Sequence, residues 1–180
     1  VQRHVGTAPL PSTAWSDATT AKFLTADKWS PAHRAAAALA ATLTDELVAA
    51  DALLFAVPLY NYGVSQHFKT WVDTVLADPR MGSGAPPLLA DKPAVLVTVR
   101  GGAYGPSTPK AGWDHATPWM RRILADVWHL DLRVVESELT LVGVDPNLDR
   151  FKDLAVELRL RAEEQARVHG KALGHNATAG

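Results

Sequence analysis

The 180-residue chain contains no cysteine, which removes thiol nucleophiles, iron–sulfur clusters, cysteine zinc sites and disulfide staples. It lacks an excess of either charge: 18 Lys and Arg stand against 19 Asp and Glu, a formal net of -1. No basic block tracks phosphates, so nucleic acid is not an expected partner. Long apolar runs are missing as well. The longest, Ala52 to Leu59 and Ala94 to Val97, fall far short of the roughly 18 residues that a membrane span requires. The opening residues Val1 to Val5 lead into Gly, Thr, Ala and proline, not into the apolar core of a signal peptide. The 7 histidines form no His-x-x-x-His or Glu-x-x-His pair, so no metal ligands are assigned, and His115 and His129 read as solvent-edge residues. One domain over 1–174 with a disordered tail over 175–180, in the cytoplasm and off the membrane, is the expectation.

What is present alternates between two periods. Ala52 to Val57, Ala94 to Val99 and Leu132 to Val142 read as buried strands, the first two apolar almost throughout, as parallel strands covered on both faces require. Gln2 to Val5 adds a weak first strand. Helix starts are marked by Ser30-Pro31, Thr117-Pro118 and Asp145-Pro146, each a capping side chain before proline. From Pro31 to Ala50, Leu39, Leu43 and Leu47 fall four apart, the spacing of an amphipathic helix that packs on a sheet. From Ser65 to Leu76, Phe68, Trp71, Val72, Val75 and Leu76 share a second face, with Lys69 and Asp73 as a solvated pair. A last helix spans Pro146 to about Lys171. Residues 6–30 read as a long aromatic loop.

In open α/β sheets ligands bind beyond the carboxyl ends of strands, which directs attention to two loops. The first reads Pro58-Leu59-Tyr60-Asn61-Tyr62-Gly63 and the second Arg100-Gly101-Gly102-Ala103-Tyr104-Gly105; between them they hold all 3 tyrosines of the chain. Aromatic and amide side chains would give a planar ligand a flat wall, and glycines would let backbone N–H groups approach its heteroatoms. The same residues also fit plain turns whose tyrosines fill surface grooves. Gly63-Val64-Ser65-Gln66-His67 begins like a nucleophile elbow, but His67 replaces the second glycine, so Ser65 reads as a helix cap and a serine hydrolase as a minor alternative.

The run Pro58-Leu59-Tyr60-Asn61-Tyr62-Gly63, continuing through Phe68-Lys69-Thr70-Trp71-Val72-Asp73, resembles the signature of the FMN-dependent NADH azoreductase and NAD(P)H quinone reductase family. Val99-Arg100-Gly101-Gly102 is similar to the family's Ser-Arg-Gly-Gly, with Val99 in the serine's place. The resemblance implies an α/β, flavodoxin-like three-layer sandwich with a mainly parallel sheet, and a homodimer. It implies FMN as cofactor, NADH or NADPH as electron donor, and a quinone or azo compound as acceptor, reduced by ping-pong hydride transfer. Leu59, Tyr60, Asn61 and Tyr62 would line one edge of the isoalloxazine, with Asn61 near its reactive nitrogen. Val99, Arg100, Gly101 and Gly102 would contact the pyrimidine side, where backbone N–H groups and Arg100 stabilise developing negative charge. Tyr104 is the candidate on the substrate side, and Asn61 and Tyr104 are the candidate catalytic residues.

The chain departs from the family in two places. Nothing corresponds to the opening strand and serine-rich loop that hold the FMN phosphate, so the sequence is expected to start roughly 30 residues late, about one strand and helix of a βαβ unit. Asp78-Pro79-Arg80-Met81 stands where many members carry Gly-x-Thr-Phe. A non-catalytic flavodoxin-like binding or regulatory module is the alternative reading.

Overall fold

A computed structural model describes residues 1–82 and 84–178. The chain divides into two compact units, Val1–Ala50 with Gln66–Ala90 and Asp51–Ser65 with Asp91–Gly180.

The first unit is helical. Helix α1 (Ala14–Ala21), α2 (Pro31–Ala49) and α3 (Gln66–Ala77) pack on one another. Small side chains permit the close approach: Ala18, Ala36, Ala40 and Ala77 form one buried cluster. Ser30 caps α2 as expected, its hydroxyl accepting from His33 N–H while His33 Nδ1 accepts from Ser30 N–H. Trp29 Nε1 donates to Ala21 O at 3.0 Å, folding the chain back over the end of α1. On α3 the expected apolar face is buried, including Phe68, Trp71, Val72 and Val75, and Lys69 meets Asp73 at 2.6 Å.

Two expectations for this unit fail. The stretch read as a loop over residues 6–30 contains α1, whose alanines and threonines carry too weak an apolar stripe to announce a helix. The weak strand over Gln2 to Val5 is absent: Thr7 and Ala8 N–H both donate to His4 O in a turn, and Arg3 is drawn to Glu46 on α2. With Gln2, Arg3 and His4 all exposed, this segment has no apolar face to pair.

The second unit carries the sheet. Strands β1 (Leu53–Ala56), β4 (Pro93–Val99) and β5 (Asp131–Ser137) run parallel in the order β1-β4-β5, and β2 (Leu59–Tyr60) and β3 (Gly63–Val64) form a separate antiparallel hairpin. The α/β class and the parallel pairing therefore agree with the alternating runs. Register sets Ala56 opposite Val97 and Val97 opposite Val135, so the strands end side by side. Val95 and Val135 on one face pack against Ala162 of α5 (Lys152–Thr178). β5 stops at Ser137, short of the expected Val142, because Leu139 turns the backbone to φ 57°.

Helix α4 (Thr117–Arg121) begins with Ala116 as its cap residue, not Thr117; Asp114 Oδ1 accepts from both the Ala116 and Thr117 N–H groups. A π-helical stretch, Arg122–Val127, prolongs it. The expected start at Asp145 holds for a 3₁₀ turn, Pro146–Phe151, and α5 then runs beyond Lys171. Of the tail expected over 175–180, the backbone to Thr178 continues α5; Ala179 and Gly180 lie outside the described residues. Among the described residues no helix is long and apolar enough to cross a membrane.

Candidate active site

The carboxyl ends of β1 and β4 lie side by side in the second unit, and the two tyrosine-bearing loops leave from them. Val57 N–H still donates to Val97 O at 2.9 Å, so the ladder runs one residue past Ala56 before the chain leaves the sheet at Pro58. The chain then doubles back in the β2–β3 hairpin, Leu59 opposite Val64 and Tyr60 opposite Gly63. Its two central residues, Asn61 at φ 48° and Tyr62 at φ 66°, are both left-handed. Such a turn matches strand twist but normally takes Asn-Gly. For tyrosine the conformation costs roughly 1–2 kcal/mol. Local strain of this kind persists where surrounding contacts hold it, and functional sites are where it collects.

The contacts that hold it are visible. His115 N–H donates to Tyr62 O at 2.9 Å. The Tyr62 ring meets Trp113 edge-on, centroids 5.4 Å apart, and Tyr104 at 6.2 Å. Lys110 Nζ stands 5.4 Å from the Tyr62 centroid and 5.9 Å from that of Tyr104. The structure thus brings together Tyr62 and Tyr104, which the sequence singles out separately, and adds Lys110 and Trp113. These two belong to the Gly101 to Thr117 loop, whose aromatic content was the available signal.

Arg100 occupies the other half of the site and is almost wholly buried, its side chain 7% exposed. Nη1 lies 3.0 Å from Glu138 Oε1; Nη2 lies 2.7 Å from Glu136 Oε1 and 2.9 Å from Asp114 Oδ2, and donates to Thr117 Oγ1 at 2.9 Å. Glu138 Oε1 also accepts from Tyr104 N–H at 3.0 Å. The guanidinium therefore ties both ends of the second loop to the end of β5. These acids come from distant positions, and no spacing in the sequence marks them. The main chain is clamped in parallel: Arg100, Gly101 and Gly102 carbonyls accept from Thr140, Leu141 and Leu139 N–H, respectively.

Gly101 serves this clamp. A Cβ there would fall 2.6 Å from Leu141 Cδ1, so the glycine admits a leucine from the protein itself. At Gly102 the nearest neighbour to a Cβ is the Tyr104 ring at 3.7 Å, which is ordinary contact. Leu59 is buried, Tyr60 and Asn61 are exposed, and Val99 is 41% exposed.

Donors remain at the rim. Among the described residues the N–H groups of Gly101 and Gly102 and the carboxamide of Asn61 have no hydrogen-bond partner, and Arg100 Nε is buried without an acceptor. Unpartnered donors beside exposed aromatic rings suit a planar, heteroatom-rich ring such as the isoalloxazine of FMN. Ser65, the alternative nucleophile, precedes α3 as expected of a residue at a helix start.

A family model described as flavodoxin-like fold matches residues 2–159. A protein of Frankia casuarinae named FMN-dependent NADH:quinone oxidoreductase is 36% identical over 168 residues, 92% of this chain and 79% of that protein. One of the same name from Frankia alni is 35% identical over 173 residues, 94% and 81% of the two chains. The crystal structure of an azoreductase from Bacillus anthracis str. Sterne superposes with a TM-score of 0.68 at 22% identity, covering 91% of this chain and 76% of that one, which attests the shared fold. On these grounds the chain belongs to the FMN-dependent NADH:quinone oxidoreductase family, built on the flavodoxin-like fold.

Proposed function

We propose that the chain works as an FMN-dependent NADH:quinone oxidoreductase, in which NADH and a proton reduce a quinone to a hydroquinone and NAD⁺ departs. The observation that carries this reading is the strained Asn61–Tyr62 turn beside the unpartnered Gly101 and Gly102 N–H groups, at adjoining carboxyl ends of parallel strands. The names of the relatives support it and do not favour the non-catalytic module.

When bound, FMN supplies the two-electron carrier that the side chains of this protein lack. The residues present would do the rest. Asn61, Tyr62, Tyr60 and the Leu59 main chain would hold one edge of the isoalloxazine. Val99, Gly101 and Gly102 would meet its pyrimidine side, where the unpartnered Gly101 and Gly102 N–H groups would stabilise developing negative charge. Arg100, with its guanidinium held by three carboxylates, acts as a positioning residue for that loop. Tyr104 would form the substrate side. Azo compounds are a second acceptor class for the same chemistry. A homodimer and a cytoplasmic setting complete the reading.

The test is a visible spectrum of the chain mixed with FMN and desalted, followed by NADH oxidation with 2-methyl-1,4-naphthoquinone. A retained flavin band and quinone-dependent NADH loss are expected. A chain that is folded by circular dichroism, keeps no band and oxidises no NADH overturns the proposal.

A further inference from the structure

The aromatic group at the mouth of the site carries a charge that the reaction as stated does not use. Lys110 Nζ stands over two rings, Tyr62 at 5.4 Å and Tyr104 at 5.9 Å. Among the described residues no carboxylate pairs with it. The acid nearest in sequence, Asp114, is turned to Arg100 at 2.9 Å and to the N–H groups that open α4. An ammonium held by ring quadrupoles keeps its charge available to a ligand, because the rings contribute attraction without neutralising it. Beside it, Trp113 is 50% exposed and Tyr62 38% exposed, so apolar ring surface and a positive charge share one open patch.

From this juxtaposition we infer that Lys110 and Trp113 form a binding subsite for an aromatic ligand bearing an anionic group, such as a sulfonate or carboxylate beside a quinone ring. Trp113 supplies a face for the ring, and Lys110 Nζ, carried on the same loop, meets the anion. The subsite rests on the oxidoreductase reading for its place in a reaction, since it would select anionic acceptors over neutral ones. The covalent chemistry is unchanged by it: NADH and a proton are consumed, hydroquinone and NAD⁺ are released.

The test measures binding directly, by titration calorimetry on the full chain supplemented with FMN. The probes are anthraquinone-2-sulfonate and the neutral 2-(hydroxymethyl)anthraquinone. The wild type is expected to bind the sulfonate about fivefold more tightly than the neutral probe, the worth of one charge-assisted contact at a half-exposed site. Lys110→Met should bring that ratio to near one, and Lys110→Arg should retain it. Trp113→Leu should weaken both probes alike and leave the ratio in place. A wild-type ratio near one overturns the inference, and so does a ratio that Lys110→Met leaves unchanged. Failure of the parent reading is seen separately. A chain that retains the sulfonate preference but takes up no FMN overturns the oxidoreductase and upholds the subsite. A chain that takes up FMN and oxidises NADH with 2-methyl-1,4-naphthoquinone, yet shows no preference, overturns the subsite alone.

Discussion

Arg80 and Arg100 each gather carboxylates, one in each compact unit, and they differ in exposure and in what they join. Arg80 is 44% exposed; it spans from Asp78, just past the end of α3, to Asp45 on α2, at 2.7 Å each, and its Nη2 donates to Ala41 O. It fastens one helix to another. Arg100 is 7% exposed and fastens loops, reaching Asp114, Glu136 and Glu138. Around Arg80 water screens much of the interaction, whereas around Arg100 only Glu136, 39% exposed, still faces water, and Asp114 and Glu138 are largely buried with the guanidinium. Both ties cost desolvation: the helix tie buries the Asp78 carboxylate and leaves its arginine partly in water, whereas the loop clamp buries the guanidinium itself. The clamp is found where main-chain position at the strand ends has to be exact, beside Gly101 and Gly102.

The sharpest way to break the comparison is to remove each arginine's contribution in turn. Arg100→Met leaves the largely buried Asp114 and Glu138 without a cation, and breaking a buried pair in this way costs about 3–5 kcal/mol, while Glu136 can turn to water. Urea unfolding should show that loss, together with loss of the flavin band; a drop within the range of an exposed pair would mean that Arg100 is no clamp. Gly101→Ala comes next. Its Cβ would fall 2.6 Å from Leu141 Cδ1, and overpacking of this kind costs roughly 1–3 kcal/mol. Because the obstacle is the end of a side chain, adding Leu141→Ala should recover most of the stability. If the double variant stays as unstable as the single one, the glycine is needed for some other reason.

On the Arg80 side, burial alone would raise the Asp78 carboxyl, but hydrogen bonds from the Arg80 guanidinium and backbone N–H, with its charge, hold it below the usual carboxylate range. A pKa lowered by folding contributes stability above the unfolded value, near about 4, and that contribution is lost as pH falls through the folded value. Asp78→Asn should therefore cost about 1–2 kcal/mol at neutral pH, reduced by the exposure of Arg80, and progressively less as the solution is acidified. A difference between wild type and variant that stays constant down the acid limb would remove the ion pair from the explanation.

The legibility of the molecule follows the same division. Strands β1 and β4 are readable because both faces are apolar, and α3 because its face repeats cleanly. β5 is overestimated for a physical reason: its apolar residues continue past Ser137, but Glu138 is held by Arg100 and Leu139 takes a left-handed φ, and neither effect is local. Helix α1 is invisible because alanine packs closely without producing a strong period. The two loops are found from composition. What they do is not, since Arg100 meets acids up to 38 positions away and Tyr62 takes a left-handed backbone that only its tertiary contacts sustain. Gly101 shows the limit well: its place in the loop points to close backbone approach, and only the fold shows that Leu141 lies where its Cβ would be.

The smallest effect on stability is also the most discriminating for function. Asn61 sits at φ 48°, a conformation that asparagine tolerates and glycine adopts freely. Asn61→Gly should therefore leave the hairpin and the unfolding free energy within about 0.5 kcal/mol of wild type. Asn61→Ala is the poorer test, because alanine there adds backbone strain of roughly 1 kcal/mol, and any loss of flavin would mix strain with chemistry. In the glycine variant the turn is kept and only the carboxamide is gone. If that amide holds the ring edge, FMN affinity by fluorescence titration should fall about fivefold to tenfold while the melting temperature stays put, the worth of one hydrogen bond to a bound ligand. If affinity also stays put, Asn61 is there for the turn alone. The recognition would then pass to the Gly101 and Gly102 N–H groups and the Tyr62 ring, which the same titration on Tyr62→Leu would measure.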